Sequence, residues 1–396
     1  MKEIWKKVSD SLFSPKGVPF DEIVEGAQDS ILVVHVATGG ILYANPAIET
    51  LVGYTPAELL GLSFAKICLP EMLGYSAEKI ADAWEKGGAS CIELKLKHKL
   101  GAIIPVELSV RVGPFSKQPA AILYIRDIRE RLRLQQLIEE QNRQIIENVE
   151  YAHRLQTAAL PTPQEVAALF PSNFVLYQPS RIVSGDFYWV GEKSGRQYFF
   201  VGDCTGHGVS GAMMVMLTLA FLQQGFQRFP SPQPSNLLQY IHCCLYSALD
   251  PSKTKDGAEA ILICVDKEED SLIWASAGRP LWYLSGGELH EHKGDRHSLG
   301  GSTAPDYQWN DYTLKLSQIK RIILSTDGYP SQIGGPSQRK LTVGRFKKVI
   351  QETATLSLSQ QKEALVDFLE KWKGAIQQVD DILVVGIEFS PNSNHA

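Results

Sequence analysis

Four aspartate sites in the second half of the chain share one local pattern, each at the edge of an apolar run and beside glycine or a second aspartate. They are Ser184-Gly185-Asp186-Phe187, Val201-Gly202-Asp203-Cys204, Ser325-Thr326-Asp327-Gly328 and Val379-Asp380-Asp381-Ile382. A single aspartate next to glycine at a strand end is an ordinary turn former. Four that converge would repel one another unless hard cations neutralised them, and an all-oxygen donor set selects Mg2+ or Mn2+ over Zn2+ or Cu2+. Two such ions about 4 Å apart ionise a bridging water and clamp a phosphoryl group for in-line attack, a reaction that needs no nucleophilic side chain. In keeping with that chemistry, the chain carries no nucleophile elbow, phosphate-binding loop or kinase signature.

Other clusters read more simply. His242-Cys243-Cys244 falls in a predicted helix over 236–249 whose apolar face absorbs at least one of the cysteines, and His290, His292 and His297 lie in a glycine-rich hairpin region without paired ligands elsewhere. The six cysteines form no Cys-x-x-Cys pair, which fits reduced thiols in a cytoplasm and argues against disulfides or structural zinc. With 39 Lys+Arg against 44 Asp+Glu, a net charge of −5 and no extended basic run, nucleic acid is not an expected partner. The longest nearly apolar stretch, 212–222, is 11 residues long, well short of the roughly 20 that a membrane span needs, and the N-terminus has no secretory pattern. A cytoplasmic protein without a membrane segment is expected.

The elements that must position the aspartates fall into three blocks. Over 20–128 short apolar runs alternate with turns, giving a small α+β module with a helical stretch at 45–60 and consecutive strands at 91–100, 103–112 and 120–125. Residues 126–160 contain neither glycine nor proline and are rich in Glu, Gln, Arg and Leu, which predicts one long helix. Ile138, Ile145, Ala152 and Ala159 recur every seven residues, while Gln141, Asn142 and Asn148 interrupt the accompanying positions. That spacing predicts an imperfect parallel coiled coil, with a lone amphipathic helix as the alternative. Pro161 and Pro163 end the helix, and strand-like runs then alternate with helices over 173–389. The resulting division is an extension at 1–19, a module at 20–128, a helical linker at 129–171, a large domain at 172–390 and a polar, disordered tail at 391–396.

Taken in order, Val183 to Trp189, Asp203-Cys204-Thr205-Gly206-His207-Gly208-Val209, Asp256-Gly257, Ser276-Ala277-Gly278, Ser325-Thr326-Asp327-Gly328-Tyr329 and Asp380-Asp381 resemble the SpoIIE/RsbU-like branch of the metal-dependent PPM-type serine/threonine phosphatases. The resemblance implies an α-β-β-α sandwich of two antiparallel sheets with two Mn2+ or Mg2+ ions at one end. Carried over by position, Asp203 would bridge both ions, Asp186 and the Cys204 backbone carbonyl would hold one, and Asp327 with Asp380 the other, Asp381 being the neighbour that could be confused with Asp380. His207 is a candidate general acid or a residue orienting its turn; Arg181 is a candidate phosphate ligand or a surface ion-pair former. Ser276-Ala277-Gly278-Arg279-Pro280 departs from the pattern by lacking the polar residue that many relatives carry after the glycine, which leaves substrate contacts there open.

The 20–128 module resembles a PAS sensor domain through Gly40-Ile41-Leu42-Tyr43-Ala44-Asn45-Pro46-Ala47 and Gly53-Tyr54-Thr55-Pro56-Ala57-Glu58-Leu59-Leu60-Gly61. Light-sensing relatives carry a flavin-reactive cysteine at the position of Phe64, and Cys68 is displaced by four; His35 and His98 fall in strands rather than on the helical side where haem is ligated. No PAS cofactor is therefore expected. Together the resemblances imply a sensor phosphatase, homodimeric through its PAS module and helix, acting on a phosphorylated STAS-type anti-anti-sigma factor in a partner-switching pathway. Two rivals are a catalytically silent phosphatase-like scaffold that binds a phosphoprotein or regulator, and a nucleotide cyclase suggested by Ser184-Gly185-Asp186-Phe187.

Overall fold

The computed structural model describes residues 20–86, 90–250 and 252–389. The 1–19 extension, the 391–396 tail and the side chain of Cys91 lie outside the described residues. The chain divides into two compact units between Arg143 and Gln144.

The first unit is built on a five-stranded antiparallel sheet in the order Ile41–Ala44, Ser30–His35, Gln118–Asp127, Ile103–Phe115, Ser90–Lys97. Alternate residues of these strands, among them Leu32, Leu94, Val106, Leu108, Leu123 and Ile125, form one core with Ile48, Leu59, Phe64 and Cys68. Buried Asn45 clips the module together. Its Oδ1 accepts from the Ile31 amide at 2.8 Å, and its Nδ2 donates to the carbonyls of Val24 and Asp29 at 3.1 Å. The helical stretch expected at 45–60 is two short helices, Ala47–Val52 and Pro56–Leu59. Gly53 closes the first in the left-handed region at φ 75°, and extended Thr55, held so by the following proline, restarts the chain with a Thr55/Glu58 capping box. The 17-residue helix Pro70–Lys86 was not anticipated.

The long helix runs from Arg129 to Ala159, 31 residues. Within the first unit Arg131 pairs with Glu93 at 2.5 Å and Glu107 at 2.8 Å. Of the seven-residue series, Ile138 and Ile145 are 57% and 60% exposed, whereas Ala159 packs against the core of the second unit. The short helix Pro163–Leu169, opened by a Thr162/Glu165 capping box, also belongs to that unit, with Val166 and Phe170 in its core.

The second unit is a sandwich of two antiparallel sheets flanked by helices. One sheet runs Tyr312–Lys315, Ser271–Ala277, Gly257–Asp266, Arg196–Cys204, Asp186–Lys193, with Leu299–Gly300 added on Gly257–Asp266. The other runs Glu288–His292, Leu281–Ser285, Arg321–Ser325, Ile382–Glu388, Asn173–Gln178. Phe199, Val201, Ile261, Ile263 and Trp274 of the first sheet meet Ile322, Leu324, Leu383 and Val385 of the second between the layers. The alternate residues point outward: Phe200 and Leu262 meet helices Val209–Arg228 and Pro234–Ala248, and Ile323 and Val384 meet Val343–Glu352 and Leu358–Lys373. Strands buried on both faces read as unbroken apolar runs, which is why they stand out in the sequence. Helix Val209–Arg228 is long and apolar enough, by length and composition alone, to cross a membrane. In the fold it lays Met214, Val215, Leu219 and Leu222 on the sheet.

A candidate metal centre at the end of the sandwich

Asp186 opens its strand and stands directly opposite Asp203, the next-to-last residue of the neighbouring one. Across that strand's other edge, Asp203 faces Glu259. Like charges placed opposite one another in a ladder are destabilising, so three carboxylates in a row at a sheet end need an external reason.

The second sheet supplies the rest. Thr326 follows the strand Arg321–Ser325, and its hydroxyl donates to Asp186 Oδ2 at 2.6 Å while its amide bonds the Leu383 carbonyl at 3.0 Å. Asp327 comes next, and Gly328 after it has no room for a side chain because the Asp381 carbonyl lies where a Cβ would go. Asp380 and Asp381 have separate roles. Asp381 is 4% exposed and spends its carboxylate on the chain: Oδ1 accepts from the Ser180 amide at 2.6 Å and hydroxyl at 2.9 Å, and Oδ2 from the Gly185 amide at 2.7 Å. Asp380 is only half buried; its carboxylate accepts from the Asp381 amide at 2.9 Å and its backbone carbonyl from Gln378 Nε2 at 2.7 Å.

The electrostatics tie the four predicted aspartates into one cluster. Burial, reinforced by Asp203, pushes the Asp186 carboxyl well above the usual carboxylate range. Asp203 is pushed up to about 7, first by burial and then by Asp327, Asp380 and Glu259, with Arg279 pulling the other way. Asp380 is raised by burial and by Asp327. Carboxylates held this reluctantly ionised, with oxygen donors alone around them, suit a hard divalent cation.

Backbone oxygens contribute as well. A Cβ on Gly185 would stand 2.9 Å from the Gly206 carbonyl oxygen and 3.1 Å from that of Cys204, so glycine is what lets both carbonyls crowd this corner. The Cys204 thiol points away into the core toward Thr218 Oγ1 at 3.8 Å, and burial pushes its pKa far up, which makes it inert. His207 is exposed on the following turn, and its carbonyl accepts from Ser210 Oγ at 3.2 Å. Arg181 is exposed, and its side chain passes beside Gly208 on the same turn. Asp256 braces the turn by accepting from Thr205 Oγ1 at 2.9 Å.

Two residues of the site were not found in the sequence. Arg279, in the segment expected to lack a polar residue after Gly278, is 8% exposed and pairs with Asp203, with Glu259 at 2.8 Å and with Asp327 at 3.7 Å. Among the described residues no three Asp, Glu, His or Cys side chains close on one point as a finished ligand set; the guanidinium stands among them. Gln156, on the long helix, is 2% exposed and donates from Nε2 to the Ser184 carbonyl at 2.6 Å, while its Oε1 accepts from the Ser184 amide at 3.0 Å. Ser184 Oγ in turn accepts from the Asp186 amide at 3.0 Å.

Residues 193–390 match the family model for stage II sporulation protein E, and residues 41–122 match the PAS fold. The SiaA-PP2C domain of Pseudomonas aeruginosa is 31% identical, with a TM-score of 0.58 over 63% of this chain and 99% of that domain. The PP2C domain with a regulatory fragment of SpoIIE from Bacillus subtilis is 14% identical, with a TM-score of 0.44 over 55% of this chain and 62% of that one. The RsbU and RsbW domains of a Mycobacterium tuberculosis protein are 16% identical, with a TM-score of 0.45 over 56% and 60%. No curated protein sequence matches. On the family match over half the chain and the SiaA likeness, this chain belongs to the SpoIIE family of PP2C-type serine/threonine protein phosphatases, and carries a PAS-fold domain ahead of its phosphatase domain.

Proposed function

We propose that the chain is a signal-regulated phosphatase that hydrolyses phosphoserine or phosphothreonine on a STAS-type anti-anti-sigma factor, working as a cytoplasmic homodimer with two Mn2+ or Mg2+ ions. The observation that carries the metal-dependent reading is the placement of Asp186 opposite Asp203, with Asp327 and Asp380 facing them electrostatically from the second sheet. Asp203 would bridge the two ions, Asp186 and the Cys204 carbonyl would hold one, and Asp327 with Asp380 the other. When bound, two hard cations lower the pKa of water and neutralise charge on the phosphoryl group. The chain's own part is orientation. Thr326 fixes one oxygen of Asp186, Asp381 fixes the backbone of Gly185, and the Asp256–Thr205 bond holds the turn that carries His207. Exposed Arg181 beside that turn is the candidate to meet a phosphate oxygen, and His207 the candidate proton donor.

Regulation would enter through Gln156, which joins the long helix to the segment that carries Asp186. The exposure of Ile138 and Ile145 at seven-residue spacing supports pairing with a second copy along this helix. The family resemblance is what supports the substrate class.

The test is hydrolysis of a small aryl phosphate, of a phosphorylated STAS protein and of phosphocasein by the full chain in Mn2+, Mg2+ or EDTA. Metal-dependent turnover favouring the STAS protein is expected. Metal binding without turnover of any of the three would favour the scaffold.

A further inference from the structure

The guanidinium of Arg279 enters the carboxylate cluster through one nitrogen. Nη2 bonds Asp203 Oδ2, lies 2.8 Å from Glu259 Oε2 and 3.7 Å from Asp327 Oδ1, while the buried Nε has no partner. A group placed for hydrogen bonding would use more of its fork. This one is held by charge, and arginine cannot relieve that charge by losing a proton.

We propose that Arg279 and a divalent cation compete for Asp203 and Asp327, and that cation binding moves the guanidinium onto Glu259 alone. This rests on the assignment of Asp203 and Asp327 as ligands. The fixed positive charge sits on Asp203 and near Asp327, the two carboxylates assigned to the ions, and a divalent cation held by the same groups would be repelled by it. Glu259 offers the retreat. It lies outside the predicted ligand set, its side chain is 46% exposed, and it stands beside Asp203 on the adjoining strand. Gly278, at φ +88°, keeps it there: a Cβ would stand only 3.0 Å from Glu259 Cγ and Cδ, so the glutamate stem passes across the residue preceding Arg279. The guanidinium can therefore leave Asp203 by side-chain rotation with its second carboxylate already in hand.

A merely supporting arginine would have the opposite sign, since removing it would loosen the ligands. Mn2+ binding to the full chain, followed by calorimetry and by the electron paramagnetic resonance signal of free Mn2+, separates the two. Arg279→Gln should bind Mn2+ tighter, on the order of tenfold. Glu259→Gln should bind it more weakly because the guanidinium loses its alternative anchor, and the double variant should match Arg279→Gln. Unchanged or weaker binding by a folded Arg279→Gln overturns the proposal. Should that variant not fold, the wild-type chain decides: Mn2+ should speed phenylglyoxal modification of Arg279, read by peptide mass spectrometry, and protection or no change overturns it. Asp203→Asn keeps the two levels apart. If it binds Mn2+ like wild type, the ligand assignment fails; if it loses binding while Arg279→Gln is unchanged, only the competition fails.

Discussion

Gln156 and Ser184 are joined by two hydrogen bonds, side-chain amide to backbone, across 28 residues of sequence in a buried setting. No other residue type of that length supplies a donor and an acceptor side by side without charge. Gln156→Leu would leave the Ser184 amide and carbonyl buried and unpaired, at a cost of about 1–3 kcal/mol each. A melting temperature lowered by roughly 4–12 °C, with a larger loss in kcat than in KM for an aryl phosphate, is the expected result. Melting scans beside steady-state kinetics would show it, and an unchanged kcat would remove Gln156 from the regulatory path.

Asp380 and Asp381 should respond differently to the same change. Asp381→Asn puts an amide where three donors now point, and a loss of roughly 2–4 kcal/mol of stability is expected. Asp380→Asn should leave the melting temperature near wild type and reduce Mn2+-dependent turnover at least a hundredfold. The reverse pattern in denaturant unfolding and turnover would transfer the ligand role to Asp381.

Metal-depleted protein should be less stable at neutral than at mildly acid pH. Asp203 titrates at about 7 in the fold against an ordinary value of 3.8. Between those values the folded state keeps a proton that the unfolded chain releases, so the contribution of Asp203 favours folding below about pH 4 and is lost as pH rises to 7. Melting temperatures in EDTA across pH 4 to 8 should fall more steeply for wild type than for Asp203→Asn; parallel curves would contradict the shift.

Gly185→Ala tests the carbonyl corner. Its Cβ would press on the oxygens of Cys204 and Gly206, and overpacking of this kind costs about 1–3 kcal/mol. Weaker Mn2+ binding should accompany the lost stability if the Cys204 carbonyl is a ligand. A variant that is destabilised yet binds Mn2+ normally would take that carbonyl out of the set.

Ile138→Glu with Ile145→Glu tests the pairing of helices. Sedimentation of the full chain should show a dimer and the double variant a monomer, with little change in melting of the phosphatase domain because both side chains already face solvent. A wild-type monomer at micromolar concentration would end the dimer proposal.

Both modules and the four aspartates were legible because their signals are local. Ile382–Glu388 is an unbroken apolar run, and Asp-Gly at a strand end needs no knowledge of the partner strand. Arg279 was not legible, since its meaning depends on the register that sets Asp203 beside Glu259, a pairing of residues 56 positions apart. Gln156 was hidden for a similar reason: a polar residue on a Gln- and Glu-rich helix looks solvated until the Ser184 backbone is known to lie against it. Helix Pro70–Lys86 carries a helical signal of its own in the sequence, Leu73, Ala77, Ile80 and Trp84 recurring at the spacing of one face, but Pro70 and Gly74 near its start read as turn residues and masked it.

The last strand of the phosphatase domain, Ile382–Glu388, is an inner member of its sheet, hydrogen-bonded to Arg321–Ser325 on one side and Asn173–Gln178 on the other. During translation, the ribosome therefore releases the strand that joins Asn173–Gln178 to the rest of its sheet only after some two hundred residues of the domain have emerged. Asp380 and Asp381 arrive with it, so a nascent chain holds Asp186, Asp203 and Asp327 without the clamp that fixes Gly185. A chain stopped before Asp381 would therefore lack both the pairing that completes this sheet and the carboxylate that holds Ser180 and Gly185 in place, and the domain would not close.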